Sequence, residues 1–234
     1  IGEAICRRFA SEGAQVWIVD SNAKLATALA ESIRQEGGRA QWRAVDLASA
    51  AEITAFVADV KSQESRIDVL INNAGINRRG PLLELSEEDW HSTFTVNLDA
   101  LFHMCRAVLP QMIAQGGGAI VNTASQWGLH PAPGHIAYNT SKAAVAAFTL
   151  NLARDYAADK VRVHAVCPGE VRTPMLESNL ARSGRTLEDL NALVPFGRIG
   201  EPEEIAATMA FLASDEAPYL CGALIEITGA QAVA

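Results

Sequence analysis

Ser-Gln-Trp-Gly-Leu-His-Pro-Ala-Pro-Gly-His-Ile-Ala-Tyr-Asn-Thr-Ser-Lys is the stretch from Ser125 to Lys142, and it decides the fold and the chemistry that this sequence predicts. The short apolar run at 119–123 before it is typical of a β-strand, and the alanine-rich pattern after it is typical of a long helix. The stretch therefore predicts a serine at the tip of a strand, with a tyrosine and a lysine at the start of the next helix.

Tyr138 and Lys142 are the pair in this stretch that is suited to acid-base chemistry. Their four-residue spacing places both side chains on one face of a helix. An ammonium group beside a phenol favours the phenolate, so we expect Lys142 to lower the pKa of Tyr138 from about 10 towards neutrality. A phenol with such a pKa can exchange a proton with a substrate at working pH.

A second pair with the same spacing, Tyr156 and Lys160, occurs later in the same predicted helix. It follows the first pair by five turns, which is roughly 27 Å further along the helix axis. In a strand-helix-strand unit that position lies away from the carboxyl ends of the strands, where open α/β folds bind ligands. We therefore interpret this pair as a surface helix end with no catalytic role.

The composition limits the class of protein and its partners. Hydrophobic residues make up 49% of the chain, which is enough for one large core, so we expect 1–234 to form a single domain. The net charge of −8, without a run of Lys or Arg, argues against nucleic acid or an anionic membrane as a partner. No apolar run is long enough to span a membrane, and no cysteine pattern indicates a metal site. We expect a cytoplasmic protein without a metal ion, whose four cysteines are small core residues.

Strands and helices are predicted to alternate along the chain. Helical patterns separate six apolar runs that predict strands: 15–20, 40–45, 69–71, 119–123, 161–166 and 222–227. One helix is expected to run without interruption from Glu87 to near Gly116. The alternation predicts an α/β fold with a doubly wound, Rossmann-like parallel sheet and helices on both faces. The polar segment at about 170–200 is too long for a turn, and we interpret it as a substrate-loop insertion and a candidate lid.

With these elements placed, the sequence resembles the short-chain dehydrogenase/reductase family over essentially its whole length. The matching motifs are Asn72-Asn73-Ala74-Gly75, Asn97, Ser125, Tyr138-x-x-x-Lys142 and Pro168-Gly169-x-Val171-x-Thr173. Each motif alone is a modest signal, but their order and spacing on the expected elements are very specific. The resemblance implies an oxidoreductase that transfers a hydride between a nicotinamide cofactor and a secondary alcohol or ketone.

One motif of the family is incomplete in this sequence. The glycine-rich turn Thr-Gly-x-x-x-Gly-x-Gly is absent apart from Gly2, which corresponds to its last glycine, and the strand before the turn is absent too. In a doubly wound sheet that strand lies in the middle, so its loss leaves its neighbours unpaired. We expect a trimmed or truncated sequence rather than a natural domain without the strand. A chain that does start at Ile1 would instead be a non-catalytic relative that binds a partner.

The resemblance implies a role for each of four catalytic residues. Tyr138 would exchange a proton with the substrate oxygen, and Ser125 would hydrogen-bond that oxygen and stabilise the charge that develops on it. Lys142 would lower the pKa of Tyr138 and bind the nicotinamide ribose. Asn97 would hold a water molecule that links Lys142 to solvent.

The resemblance also implies where the cofactor binds and which cofactor it is. Asp20, at the tip of the strand at 15–20, would accept both hydroxyls of the adenosine ribose and repel the extra phosphate of NADP. We therefore expect NAD rather than NADP. The full set of expected cofactor-binding residues is Gly2, Asp20, Asp46, Leu47, Asn73, Ala74, Gly75, Tyr138, Lys142, Pro168, Gly169, Val171 and Thr173.

The substrate is specified less sharply than the reaction. The residues expected to line its pocket, together with the 174–196 segment, are Ser125, Gln126, Trp127, His130, Tyr138 and Glu170. For His130 an exposed place in a loop is the equal alternative. Polar groups at these places suit a small hydroxylated substrate such as a sugar, sugar acid or polyol. The stretch at 198–202, Arg-Ile-Gly-Glu-Pro, also recurs in relatives that reduce 3-oxoacyl thioesters, so an acyl-chain substrate stays open.

Two predicted helices carry more apolar residues than one sheet face needs. They span about 87–115 and 138–158, and the residues in question are Phe94, Phe102, Phe148 and Leu152. Because helices at these places join subunits in the family that the sequence resembles, the resemblance implies a homotetramer.

Overall fold

The computed structural model describes residues 1–174, 176–177, 180 and 184–231. Its strands are β1 (Gln15–Asp20), β2 (Arg39–Ala44), β3 (Val69–Asn72), β4 (Gly118–Thr123), β5 (Val161–Pro168) and β6 (Leu224–Ile227). Its helices are α1 (Gly2–Ser11), α2 (Ala23–Gln35), α3 (Ala50–Gln63), α4 (Glu87–Phe94), α5 (Ala100–Ala114), α6 (Gln126–Leu129), α7 (Ile136–Tyr156), α8 (Leu187–Asn191) and α9 (Pro202–Ala213). In this described part of the chain, no helix is long and apolar enough to cross a membrane.

The strands pair in parallel, as the alternation of strands and helices predicts. β1 pairs with β2, while β3, β4, β5 and β6 form a second sheet in that order. Within the described ranges no ladder joins β1 to β3, and residues of both strands line a cavity of about 1010 Å³. The α/β fold with a doubly wound parallel sheet is therefore confirmed, and the two neighbours of the expected middle strand are unpaired as predicted.

Helices cover both faces of the four-stranded sheet. In β4, Ile120 and Val121 are both 0% exposed, although successive side chains of a strand point to opposite faces. Ile120 packs in a core cluster with residues of α3, α5 and α7, and Val121 packs in another with residues of α1 and α9. A third cluster joins α2 to β1 and β2. Burial on both faces explains why this strand is a continuous apolar run.

Short polar side chains determine where several helices begin. The residue before each of three helices accepts a hydrogen bond, through its side chain, from the backbone N–H three residues later. These residues are Asn22 before α2, Ser49 before α3 and Ser86 before α4. Such N-caps satisfy backbone donors that a helix start would otherwise leave free.

The long helix predicted from Glu87 to near Gly116 is interrupted. A π-helical turn, Thr95–Asp99, separates α4 from α5. π-turns occur frequently at functional sites, and this one carries Asn97, which is 2% exposed.

The 170–200 segment is more regular than a loop. A parallel bridge between Val171 and Gly200 joins its two ends, and a capping box of Thr186 and Asp189 starts the short helix α8. Its apolar side chains form a separate cluster, whose buried members are Leu176, Leu190, Val194 and Ile199. Residues 175, 178–179 and 181–183 of the expected substrate segment lie outside the described residues.

Two expectations about burial are wrong. Cys105 and Cys167 are buried, but Cys6 is partly buried and Cys221 is exposed. Leu152 lies in the core, so it does not belong to the expected surplus of apolar surface. Spacing along a helix shows which residues share a face, but it does not show which face meets the sheet.

His164 in β5 is a polar side chain within the apolar interior. It is 0% exposed, and among the described residues no group meets hydrogen-bond geometry with either ring nitrogen, although the backbone of Leu220 lies near the ring. Burial and the nearby charge of Arg162 lower the pKa of His164 to about 4, and the backbone of Leu220 opposes this shift only in part. The imidazole is therefore neutral in the folded protein at pH 7.

We expect the free energy of unfolding to fall as the pH is lowered from about 6.5 towards 4, because the unfolded chain then binds a proton that folded His164 does not. Urea unfolding at several pH values should give a steeper pH dependence for the wild type than for His164→Asn. The two slopes of the free energy of unfolding against pH should differ by up to about 1.4 kcal/mol per pH unit. Equal slopes for the two proteins would contradict a buried neutral imidazole.

Candidate active site

The candidate site lies where the parallel strands end. β3 ends at Asn72, β4 at Thr123 and β5 at Pro168, and the strand registers bring these ends to one edge of the sheet. At this edge the hydroxyl of Thr123 donates a hydrogen bond to Asn73 Oδ1 over 3.4 Å. Open α/β sheets bind their ligands at this edge, outside the carboxyl ends of the strands.

Ser125 and Tyr138 line a small cleft of about 120 Å³ at this edge. The Ser125 hydroxyl lies near enough to the phenol to lower the pKa of Tyr138. Ser125 also precedes α6, where its Oγ accepts the N–H of Trp127 over 3.1 Å. Because Oγ acts as an acceptor there, its own proton is available to a group in the cleft.

The protonation of Tyr138 differs from the expectation. Burial raises the pKa of Tyr138 above its ordinary value, the hydrogen bond from Ser125 lowers it in part, and the charge of Glu170 raises it further. Lys142 Nζ lies 5.8 Å from the centre of the Tyr138 ring. The expectation that Lys142 lowers the pKa of Tyr138 is therefore wrong for the residues of this chain alone. Burial is the largest influence on this pKa and raises it. The phenol is held protonated.

Lys142 is bound to the sheet instead. Its Nζ donates a hydrogen bond of 2.6 Å to the carbonyl oxygen of Thr123 at the end of β4. The residue is 3% exposed, and burial lowers the pKa of Lys142 to about 8. An ammonium group has three donors, so this contact leaves Lys142 able to bind a further polar group.

Asn97 holds the loop that follows β3. Its Oδ1 accepts the N–H of Ile76 over 2.8 Å, and its Nδ2 donates to the carbonyl of Ile76 over 3.0 Å and to Ser141 Oγ over 2.9 Å. The side-chain amide is thus engaged by protein groups. Its expected part in holding a water molecule stays a prediction.

Most residues expected at the adenosine and phosphate end of the cofactor lie around the large cavity beside β1 and β3. Those that line it are Gly2, Asp20, Leu47, Asn73 and Ala74. Asp46 is exposed after β2 and does not line this cavity, and its Oδ1 accepts the N–H of Ala48 over 2.9 Å.

Two expected cofactor-binding glycines, Gly2 and Gly75, lie close to polar side chains of the site. A Cβ on Gly75 would lie 3.2 Å from Lys142 Nζ and 3.3 Å from Asn97 Oδ1, and a Cβ on Gly2 would lie 3.0 Å from Asn73 Nδ2. Hydrogen-bond donors therefore stand beside exposed backbone, which suits the ribose and phosphate groups of a dinucleotide. The residues present fit a nicotinamide cofactor.

The small cleft also contains residues expected at the nicotinamide end and at the substrate. Those at the nicotinamide end are Pro168, Gly169, Val171 and Thr173, and those at the substrate are Gln126, Trp127 and Glu170. Burial raises the pKa of the Glu170 carboxyl, and the positive charges of Arg79 and Arg185 oppose this shift.

His130 does not line the cleft, contrary to the expectation. Its side chain is 57% exposed, and its Nε2 lies 3.4 Å from Glu226 Oε2.

Two residues near the cleft were missed. Asn77 lines the cleft, and its Oδ1 lies 3.0 Å from His135 Nδ1. His135 precedes Tyr138 by three residues at the start of α7. Helical spacing would therefore have predicted that His135 lies beside the tyrosine. Asn77 lies in an irregular loop, where spacing carries no such signal.

The second tyrosine and lysine pair lies at the opposite edge of the sheet, as predicted. α7 ends at Tyr156, and Lys160 follows a 3₁₀ turn with φ of 61° rather than continuing the helix. The carbonyl of Lys160 accepts the N–H of Gly118, the first residue of β4, over 3.3 Å. This contact ties the pair to the amino ends of the strands.

Comparison with known proteins identifies the family to which the chain belongs. Residues 1–229 match the family model described as enoyl-(acyl carrier protein) reductase. The D-threitol dehydrogenase of Mycolicibacterium smegmatis is 40% identical over 233 residues, which cover 100% of this chain and 89% of that protein. The 3-oxoacyl-(acyl-carrier-protein) reductase of Thermotoga maritima is 38% identical over 229 residues, which cover 98% of this chain and 92% of that protein.

A solved structure agrees with these relatives. The L-sorbose reductase of Gluconobacter frateurii, complexed with NADPH and L-sorbose, matches with a TM-score of 0.93 and 30% identity, over 97% of this chain and 90% of that chain. The chain belongs to the short-chain dehydrogenase/reductase family. It is an oxidoreductase of the type that acts on alcohol or ketone groups with a nicotinamide cofactor.

Proposed function

We propose that this protein transfers a hydride between NAD(H) and a secondary alcohol or ketone, and that its substrate is a small sugar, sugar acid or polyol. The observation that carries the proposal is the cleft of about 120 Å³ that Ser125 and Tyr138 line together. Sites for drug-sized ligands measure roughly 300–1,000 Å³, so this volume favours a small substrate.

Tyr138 is the group that moves the proton in this proposal. Its raised pKa keeps Oη protonated, so Oη can donate a proton to a carbonyl oxygen as that oxygen becomes negative. Ser125 Oγ donates a second hydrogen bond to the same oxygen and stabilises the developing charge. Oxidation of an alcohol runs in reverse, with the phenolate of Tyr138 as the proton acceptor. The bound nicotinamide supplies or accepts the hydride.

Other residues would hold the cofactor in place. Lys142 would donate to the ribose next to the nicotinamide, since its contact with Thr123 leaves ammonium donors to spare. Val171 and Thr173 would bind the carboxamide, because both line the cleft beside Tyr138.

Asp20 supports NAD as the preferred cofactor. It is the exposed last residue of β1, and one of its oxygens, Oδ1, accepts the N–H of Asn22 over 2.8 Å. The rest of the carboxylate is suited to accept hydrogen bonds from ribose hydroxyls, and its charge would repel a 2′-phosphate. The L-sorbose reductase of similar fold was solved with NADPH, so the proposal of NAD rests on Asp20 and not on that relative.

A 3-oxoacyl thioester reductase is the alternative, supported by the Thermotoga relative and the stretch at 198–202. The stretch at 198–202 stabilises the start of α9. Arg198 makes a two-point ion pair with Glu204, over 2.9 and 2.7 Å, and Glu201 forms a capping box with Glu204 at the start of α9. Helix capping accounts for this stretch without an acyl chain. The polar side chains of Asn77, Gln126 and Glu170 in the cleft favour the hydroxylated substrate.

We also propose that the protein is cytoplasmic and forms a homotetramer of single-domain subunits. Apolar side chains on α5 and α7 support the assembly, since Phe102 is 40% exposed, Ile113 37% and Leu150 44%. Exposed apolar residues on neighbouring helices are typical of a surface that another subunit covers.

The substrate proposal is tested with the purified full-length protein and a panel of sugars, polyols, hydroxy acids and acyl thioesters, assayed with both NAD(H) and NADP(H). We expect turnover of a polyol or sugar, and D-threitol and L-sorbose are the first compounds to measure. Activity confined to acyl thioesters would favour the alternative reductase. A protein that binds no nicotinamide cofactor and turns over nothing would be the non-catalytic relative.

Replacing Tyr138 by Phe should lower kcat by about 10²- to 10⁴-fold, because the variant lacks the proton donor. Tyr156→Phe is the matched control and should stay within about twofold of the wild type, since Tyr156 lies at the end of α7 that is remote from the cleft. Steady-state rates with the best substrate of the panel measure both. Equal losses would mean that the wrong tyrosine was assigned.

Asp20→Ala should reduce the preference for NAD over NADP by about tenfold or more in kcat/KM, because the repulsive carboxylate is removed. The exposed Asp215, at the end of α9, provides the control variant Asp215→Ala, which should leave the ratio unchanged. An unaltered ratio in Asp20→Ala would show that Asp20 does not select the cofactor.

A further inference from the structure

Trp127 packs between two rings at the side of the cleft. The centre of its ring lies 4.6 Å from that of His135, at an interplanar angle of 42°. The ring of Tyr138 lies 6.1 Å away at 85°, in an edge-to-face arrangement. Trp127 and Tyr138 both line the cleft, so the indole forms a wall beside the phenol that transfers the proton.

Asn77 orients the imidazole that supports this indole. Its Oδ1 lies 3.0 Å from His135 Nδ1. Burial, helped by the charge of Arg79, lowers the pKa of His135 to about 4, so the ring is neutral at pH 7. Since an amide oxygen only accepts hydrogen bonds, the proton of the neutral ring lies on Nδ1.

The loop that presents Asn77 is itself anchored. The preceding residue, Ile76, is held through both backbone polar groups by the buried Asn97. Further along, the N–H of Gly80 donates to the carbonyl of Gly134 over 2.9 Å, which ties this loop to the one that leads into α7. The contact between Asn77 and His135 therefore joins two loops whose backbones are already held together.

We propose that Asn77 and His135 are positioning residues that hold Trp127 as a rigid wall of the substrate cleft. The proposal rests on the proposed function, because it assigns the indole to contact with the carbon skeleton of a small substrate. Ser125 and Tyr138 bind the reacting oxygen, and the wall sets where the rest of the substrate lies. A contact that is equal in the ground state and the transition state affects KM more than kcat.

A double-mutant cycle with Asn77→Ala and Trp127→Ala tests this. The probe is D-threitol oxidation with NAD⁺, or L-sorbose reduction with NADPH if threitol is not turned over. Asn77→Ala should raise KM about tenfold and leave kcat within about threefold. In the Trp127→Ala background, Asn77→Ala should raise KM by less than about a further twofold, because Asn77 acts through the indole. An undiminished effect there would mean that Asn77 contacts the substrate directly, which would overturn the proposal.

A conservative variant separates positioning from a merely structural role. Asn77→Asp keeps the acceptor oxygen and should bring KM at pH 8 back to within about twofold of the wild type. The exposed Asn151 on α7 provides the control Asn151→Ala, which should change neither constant. A joint fall of kcat and Tm in Asn77→Ala, without rescue by Asp, would overturn the positioning role.

Tryptophan emission provides a readout that needs no substrate. The difference between the emission spectra of the wild type and Trp127→Phe isolates the emission of Trp127. In the Asn77→Ala background, the intensity or wavelength of this Trp127 emission should change, because Asn77 no longer orients the imidazole of His135. If no compound of the panel is turned over, the proposed function fails while the emission still tests the wall. An unchanged emission from Trp127 in Asn77→Ala would overturn the inference.

Discussion

The hydrogen bond of 2.6 Å from the buried ammonium of Lys142 to the carbonyl of Thr123 is the contact on which the site depends. It joins the start of α7 to the end of β4. Tyr138 lies one turn before the lysine, and Ser125 follows the threonine closely, so this contact brings Tyr138 and Ser125 to the same cleft. Gly128 permits this approach, because a Cβ there would lie 2.7 Å from the carbonyl carbon of Lys142.

Burial determines the charge of the groups around this contact. It is the largest cause of the raised pKa values of Tyr138 and Glu170, and of the lowered pKa values of Lys142 and His135. Each shift favours the neutral form, because a site shielded from water stabilises charge poorly. Hydrogen bonds are stronger in the same surroundings, which suits a reaction in which charge develops on one substrate oxygen.

The residues around the cleft are held by the ends of the strands and by contacts between loops. The sheet contributes the aligned ends of β3, β4 and β5, since parallel pairing brings all three to the same edge. Loops contribute further contacts, because Asn97 clamps the backbone of Ile76 and Asn77 meets His135. Tyr138 and Lys142 thus lie on a regular helix, while Asn77 and His135, which support the proposed wall, lie outside the regular elements.

The sequence by itself determined the order of strands and helices, the parallel pairing, and the meeting of Ser125 with Tyr138, because these follow from periodicity and from spacing within adjoining elements. The direction of the Tyr138 pKa shift, the π-turn at Thr95–Asp99, and the contacts of His135 with Trp127 and Asn77 became visible only in the folded structure. Burial and loop contacts depend on residues far apart in the chain, and local patterns carry no information about them.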